Sequence, residues 1–211
     1  MQRITYYDPV SKKYILLKDK QENIVDALGK LEDYLEEQEP RSFQEYMYRL
    51  RTYHKATQES FAYALNIKPI TIQNIENGTN LPSYKTFQAI AQTYDVPLNH
   101  LRFVFRRHVF HLKDEALDYI IDCQDDSTVD TIIFKHIGAL IQSERRFMSM
   151  SKERLSSIVG VSVYVLTKIE NGELPLSWQN VNAYGKALES DRLIDIGKKL
   201  ENRALRRGKI I

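Results

Sequence analysis

The feature that most limits how this chain can fold is a pattern that occurs twice. The stretch TQESFAYALNIKPITIQNIENG (57–78) is followed by SKERLSSIVGVSVYVLTKIENG (151–172), 94 residues further along. Both stretches end in Ile-Glu-Asn-Gly, and the apolar positions agree on either side of the motif as well. An internal repeat of this length predicts two copies of one structural unit.

Each copy is typical of two short helices joined by a tight turn. In the first copy, Thr57 is a good N-cap, apolar residues follow at helical spacing, and Pro69 stands where the second helix begins. Asn77 and Gly78 then end that helix. Two helices that share one apolar face across a short turn predict a helix-turn-helix arrangement.

The motif resembles the Cro/C1-type (XRE) helix-turn-helix family. In the first copy the resemblance is carried by Thr57-Gln58-Glu59, Ala62, Ile67, Ile72 and Ile75–Gly78, and in the second by Ser151, Glu153, Ser156, Val161, Leu166 and Ile169–Gly172. It implies a mainly α protein with two lambda-repressor-like five-helix domains in tandem. In such a domain the second motif helix lies in the major groove of DNA, and the first crosses the phosphate backbone.

The resemblance also assigns DNA-facing positions in both copies. The base-facing positions are Pro69, Ile70, Thr71 and Asn74, followed by Val163, Tyr164, Val165 and Lys168. The phosphate-facing positions are Gln58, Lys68, Asn77, Lys152, Ser162 and Asn171. Only Asn74 and Lys168 are strong base readers, since Asn suits adenine and Lys suits guanine. The alternative for Ile70, Val163 and Tyr164 is that the connector between the repeats partly buries them.

Composition excludes several other classes of protein. The chain has 211 residues, enough for one large or two small domains, and 43% of them are apolar. No apolar run approaches the roughly 20 residues of a membrane span, and the first residues lack the apolar region of a signal peptide. The one cysteine, Cys123, cannot form an internal disulfide, which suits a reducing cytosol. We therefore expect a cytoplasmic protein without membrane contact.

Charge is segregated along the chain, although the net charge is only +2. Residues 41–100 carry +2, residues 137–190 carry +1 and residues 191–211 carry +4. Residues 1–40 and 101–136 carry −3 and −2. Mildly basic repeats with acidic connecting segments are expected if the repeats meet an anionic partner. The alternative is an ordinary solvated surface whose charges bind no partner.

The chain is predicted to divide into five segments. Residues 1–40 would form a β-hairpin and a helix from about Gln21 to Gln38, serving homodimerisation or docking, or alternatively a simple cap on the first repeat. Residues 41–105 would be the first helix-turn-helix domain, 106–136 a helical connector and 137–190 the second domain. Residues 191–211 would be a short helix with a basic tail.

Catalytic and metal sites are not expected. The chain has no P-loop, GxGxxG or CxxC motif, and His108 and His111 lack a carboxylate or thiol at ligand spacing. Ser149 to Lys152 matches an SxxK hydrolase pattern, but a helix start explains those residues. The sequence therefore predicts a protein that is not an enzyme and uses no cofactor.

These observations predict a sequence-specific regulator of transcription that binds double-stranded DNA. It would be a repressor from a bacterium or a mobile element, and it would read the major groove with both domains. The alternative is a protein-interaction module, such as an antitoxin or phage-type inhibitor, in which the same fold mainly grips a protein partner.

Overall fold

The protein is mainly α-helical, with ten helices among the residues that the computed structural model describes. Those residues are 5–8, 13–16, 40–112, 114, 117–118, 121 and 130–206. Two short strands, β1 (Thr5–Asp8) and β2 (Lys13–Leu16), pair antiparallel with Thr5 opposite Leu16 and Asp8 opposite Lys13. They lie in the stretch predicted to form the hairpin, whereas the helix predicted over 21–38 lies outside the described residues.

The described chain forms two compact units. The first unit contains the described residues up to Pro82 together with Thr86–Pro97, and the second contains Ser83–Lys85 and the described residues from Leu98 onward. The division near Pro97 does not coincide with the predicted domain boundary at residue 105.

In the described part of the first unit, four helices enclose an aromatic and aliphatic core. They are α1 (Phe43–Tyr53), α2 (Gln58–Ala64), α3 (Pro69–Glu76) and α4 (Tyr84–Tyr94). The Ser42 hydroxyl accepts a hydrogen bond from the Glu45 amide and so caps α1. The core contains Phe43, Met47, Leu50, Phe61, Ile72, Ile75, Phe87 and Ile90.

Among the described residues, six helices with defined bounds belong to the second unit. They are α5 (Leu98–Val109), α6 (Asp130–Phe147), α7 (Lys152–Val159), α8 (Val163–Glu170), α9 (Trp178–Ala187) and α10 (Asp191–Arg206). Their core contains Ile137, Ile141, Leu155, Leu166, Val181, Leu188, Leu193 and Ile196.

A buried carboxylate explains why α5 groups with the second unit. Glu144 of α6 is almost fully buried, and its two oxygens accept hydrogen bonds from Arg102 (3.0 Å) and Arg106 (3.4 Å) of α5. Burial raises the pKa of the Glu144 carboxyl, although the two arginines oppose that shift. An ion pair between helices far apart in sequence leaves no local pattern, so the sequence offered no sign of it.

The basic tail predicted for residues 191–211 is partly a packed helix. Helix α10 continues to Arg206, and Arg203 is only 3% exposed. Its guanidinium lies 3.1 Å from the Asp130 carboxylate at the start of α6. Arg203 therefore belongs to the interior, because it continues the buried stripe that Leu193 and Ile196 begin.

The two units repeat one backbone path in detail. Four pairs of residues 94 positions apart share a left-handed conformation: Lys55 and Ser149, Asn66 and Gly160, Gly78 and Gly172, Asp95 and Glu189. After the first motif helix, the Ile67 amide donates to the Ala62 carbonyl, and the Val161 amide donates to the Ser156 carbonyl, both at 3.0 Å. Helices α3 and α8 have the same length and begin at equivalent residues.

Candidate nucleic-acid interface

The helix-turn-helix of the first unit is set by caps at both of its helices. Thr57 accepts a hydrogen bond from the Ser60 amide and starts α2. Asn66 then adopts a left-handed φ of 54°, which turns the chain toward α3. Lys68 is the N-cap of α3 without a side-chain hydrogen bond, and Pro69 follows at the first helical turn. The motif predicted from the sequence is confirmed here at each of these positions.

A buried ion pair ties the end of α3 to α1. Arg51 approaches Glu76 side-on, with Nε 2.6 Å from Oε1 and Nη2 3.1 Å from Oε2. The remaining Arg51 nitrogen, Nη1, donates to the Ala56 carbonyl at 2.8 Å, in the loop that leads into α2. One guanidinium therefore holds both motif helices in place, and its planar fork suits this two-point contact with a carboxylate.

Gln58, a predicted phosphate contact, joins the same network. Its side-chain amide donates to Glu76 Oε2 at 2.7 Å, and the residue is half-buried. This hydrogen bond to Glu76 orients the Gln58 side-chain amide at the N-terminus of α2. Its second amide proton and its carbonyl oxygen are not taken up by that bond.

The second unit contains the same network in nearly the same geometry. Arg145 lies 2.6 Å and 3.0 Å from the two oxygens of Glu170, and its third nitrogen donates to the Met150 carbonyl at 2.9 Å. Lys152 takes the position of Gln58, with Nζ 3.1 Å from the Thr167 hydroxyl and 3.7 Å from Glu170. Lys152 is therefore partly engaged within the unit.

Sequence reasoning did not assign a role to these arginines and glutamates. The signal was present, because Arg51 and Arg145 are equivalent in the repeat, as are Glu76 and Glu170. When an arginine and a glutamate occur at the same positions in both copies of an apolar motif, the two side chains are expected to meet in the fold, since a lone buried charge would be costly.

The predicted base-facing positions of the first unit lie along the partly exposed side of α3. Ile72 and Ile75 anchor the opposite face in the core, whereas Ile70 is 53% exposed. Pro69 is also exposed, and Thr71 and Asn74 are half-buried. The predicted strip therefore contains one apolar side chain in solvent and two polar side chains beside it.

The predicted base-facing positions of the second unit form a more apolar surface. Tyr164 is 68% exposed and Val163 36% exposed. The Lys168 ammonium sits 5.0 Å from the centre of the Tyr164 ring, while Val165 packs against the core of its unit. Ile70 and Tyr164 are thus more than half exposed, whereas Val163 is about one-third exposed; their partial burial by the connector, the alternative to DNA contact, stays a prediction.

The remaining phosphate-facing positions differ between the units. Lys68 and Asn77 are exposed at the two ends of α3. Ser162 is the N-cap of α8, where its hydroxyl accepts a hydrogen bond from the Val165 amide. Asn171 donates its side-chain amide to Glu173 at 2.9 Å, so a carboxylate occupies one donor that a phosphate would need.

An aromatic cluster supports α2 from behind. The His54 ring lies 4.5 Å from the Tyr94 ring, and Tyr94 stacks on Phe61 of α2 at 4.6 Å. His54 Nε2 is buried and has no hydrogen-bond partner among the described residues. Burial lowers the pKa of His54 to about 4, because a charged imidazole would be poorly solvated there.

The described part of the chain offers neither a metal-binding cluster nor a membrane-spanning helix. That part of the chain contains no group of three or more His, Cys, Asp or Glu side chains that could hold a metal ion. His108 lies in α5, whereas His111 lies beyond its end with a left-handed backbone. None of the helices described is long and apolar enough to cross a membrane.

Comparison with known proteins supports the class that this geometry defines. Residues 48–101 match the helix-turn-helix family of Cro/C1 (XRE) type, a DNA-binding family that is typically non-enzymatic. This confirms the resemblance for the first copy, while no second copy is found by the same comparison. No curated protein and no solved structure matches the chain.

Proposed function

We propose that this protein is a transcriptional repressor that binds specific double-stranded DNA, with α3 in the major groove. The supporting observation is the surface of α3, inside the matched family region. Ile72 and Ile75 are fully buried on one side, while Pro69 and Ile70 stand exposed on the other. A helix anchored on one side by the core presents its free side to a groove without rearrangement.

The side chains of α3 suit a modest base code. Asn74 can form two hydrogen bonds with adenine, and Ile70 and Thr71 can pack on thymine methyl groups. Lys68 and the first amides of α3 would contact phosphates, because a helix N-terminus favours anions. Gln58 would do the same from α2, with its amide already oriented by Glu76.

We further propose that the second unit is a second helix-turn-helix domain of the same type. The support is its repeated backbone path and its Arg145–Glu170 pair, which matches the Arg51–Glu76 pair. Two such domains in one chain would read two half-sites roughly 34 Å apart, as the usual dimer does. Pairing through residues 1–40 would then lengthen the site.

Selection of random duplex DNA by the full chain, followed by sequencing, tests this proposal. A motif with two half-sites is the expected result. Asn74→Ala should weaken binding to the selected site by roughly 1–3 kcal/mol and relax the base preference at one position of that site. Absence of any enrichment at low salt would overturn the proposal, and a single short half-site would limit reading to one unit.

The second candidate function is binding of a protein partner through α8. It is favoured by Tyr164, which is the more exposed counterpart of Ile70, and by Glu173 beside the predicted phosphate contact Asn171. An exposed aromatic ring is a common anchor at protein interfaces. If this candidate is right, one protein partner co-purifies with the chain even at high salt. Tyr164→Ala should abolish that co-purification and leave the selection of DNA sequences unchanged.

A further inference from the structure

The turn after α8 carries a carboxylate that the equivalent turn of the first unit lacks. Glu173 stands where the first unit has Thr79, and both residues are exposed. The Thr79 amide donates to the Asn74 carbonyl at 2.9 Å. In the same way, the Glu173 amide donates to the Lys168 carbonyl at 2.9 Å. The two side chains therefore leave equivalent backbone positions, and only their chemistry differs.

This carboxylate lies at a predicted phosphate contact. Glu173 Oε1 accepts a hydrogen bond from the Asn171 side-chain amide at 2.9 Å. In the first unit, the equivalent Asn77 is followed two residues later by the uncharged Thr79. A phosphate that approaches Asn171 would meet a negative charge already bonded to the same amide, and like charges this close repel each other.

Other predicted phosphate contacts of the second unit are also engaged within that unit. The Lys152 ammonium lies 3.1 Å from the Thr167 hydroxyl and 3.7 Å from the Glu170 carboxylate. The Ser162 hydroxyl caps α8, whereas Lys68 at the equivalent position starts α3 without a side-chain cap bond. A DNA backbone would compete with these internal contacts, which offsets part of the free energy of binding.

A cation stands beside the same turn. A Cβ atom added at Gly172 would lie 2.5 Å from the Cα atom of Lys135 and 2.7 Å from its Cγ atom. Lys135 is an exposed residue of α6, so its side chain leaves the helix directly against the turn. Glu173 offsets this positive charge, and without Glu173 the cation would attract a phosphate.

We propose that Glu173 makes the second unit the weaker DNA binder of the two, so that the two half-sites of the operator contribute unequally to affinity. This inference rests on the proposed function of both units as DNA-binding domains. Glu173 weakens the second unit in two ways, because it repels the phosphate and occupies the amide of Asn171. Since both units belong to one chain, unequal half-sites give the operator a direction, and the first unit reads the stronger half-site.

Reciprocal exchange of Glu173 and Thr79 tests the proposal. The affinity of the full chain for its selected duplex is measured by fluorescence anisotropy from about 50 to about 200 mM salt. Glu173→Thr should tighten binding about three- to tenfold at the lowest salt, and the gain should shrink as salt screens the repulsion. Thr79→Glu should weaken binding roughly tenfold or more, because the first unit supplies most of the affinity.

Control variants separate this carboxylate from general changes in charge. Asp191→Asn removes one negative charge at the start of α10, outside the motif, and should leave the affinity unchanged. Adding Lys135→Ala to Glu173→Thr should cancel most of the gain. Adding Lys186→Ala, at an exposed lysine of α9, should preserve the gain. Thermal unfolding followed by circular dichroism verifies that each variant is folded.

The proposal is overturned if Glu173→Thr binds DNA no more tightly than the wild type, the result expected if Glu173 serves a protein partner. A gain that is independent of salt, or an equal gain in Asp191→Asn, would also overturn it. In each of these outcomes the wild type still binds DNA. Failure of the proposed function differs, because the wild type then binds no duplex at low salt, and the inference falls with it.

Discussion

At the scale of single residues, the buried ion pairs decide how firmly α3 and α8 are held at their ends. The Glu170 side chain is fully buried, and Arg145 and Lys152 both approach it. Removing charges from water is costly, so such a pair adds little over a well-packed apolar pair. Removing one partner is different, because it leaves the other charge buried without compensation.

We therefore expect Glu170→Gln to destabilise the protein by about 3 kcal/mol, since Arg145 keeps its charge in a buried site. The double substitution Arg145→Met/Glu170→Leu should recover most of that loss. Urea unfolding followed by circular dichroism measures both. Glu45→Gln, which breaks the partly exposed Arg49–Glu45 pair on α1, is the control and should leave the midpoint nearly unchanged. Equal losses of unfolding free energy in the single and the double variant would contradict this account.

His54 makes the stability of the first unit depend on pH. Its pKa in the folded protein is about 4, below the ordinary value of 6.5, because burial beside Tyr94 and Tyr53 disfavours the charged ring. The neutral imidazole is thus the form that suits the fold. Its contribution is fully present above pH 6.5 and is lost as the pH falls from 6.5 toward 4.

Between pH 7 and pH 4, the titration of His54 should lower the free energy of unfolding by on the order of 2 kcal/mol, a value that allows for its partial exposure. His54→Phe keeps the ring contacts and removes the titration, so its unfolding free energy should fall less over the same range. Parallel curves for His54→Phe and the wild type would refute the assignment.

At the scale of helices, close packing of α6 on α8 depends on Gly138. A Cβ atom added at this position would lie 2.2 Å from the Ile169 carbonyl oxygen and 2.9 Å from that of Glu170. Both atoms belong to the backbone at the end of α8, so they cannot move aside alone. Helix α8 can approach α6 this closely only because residue 138 has no side chain.

Gly138→Ala should therefore destabilise the protein by about 2–3 kcal/mol, since α6 and α8 must separate. Thermal unfolding monitored by circular dichroism measures the change. Gly160→Asn is the matched control: its Cβ meets nothing within 4 Å, and the first unit already has Asn66 with the same left-handed backbone. A Gly138→Ala protein as stable as the control would show that the helices pack less closely than described.

The helices differ in how well the sequence predicted them, and the reason is physical. Thr57, Pro69 and Ser162 act through atoms within three or four residues of themselves, so their signals are local. The grouping of α5 depends on Glu144, about forty residues away from its arginines. The burial of Arg203 depends in the same way on Asp130, and no periodicity within α10 identifies that partner.

At the scale of the whole molecule, one backbone path supports two different outer faces. The ion pairs and the left-handed turns repeat, because they fix the fold. The exposed positions do not repeat: Ile70 becomes Tyr164, and Thr79 becomes Glu173. The repeat in the sequence predicted the shared backbone path. The surroundings of the candidate-site residues depend on side chains from distant parts of the chain, so only the structure gives them. The predicted contact positions remain predictions for both units.

The contribution of the first unit to DNA binding can be measured through the salt dependence of the whole chain. Lys68 is exposed at the start of α3, where its ammonium can reach a phosphate. Lys68→Ala should lower affinity for every duplex alike and reduce the slope of log K against log salt by about 1, as one fewer counterion is released. Lys85→Ala, an exposed lysine on α4 away from the motif, should leave the slope unchanged. Fluorescence anisotropy from 50 to 200 mM salt provides the slopes, and equal slopes for Lys68→Ala and the wild type would remove Lys68 from the interface.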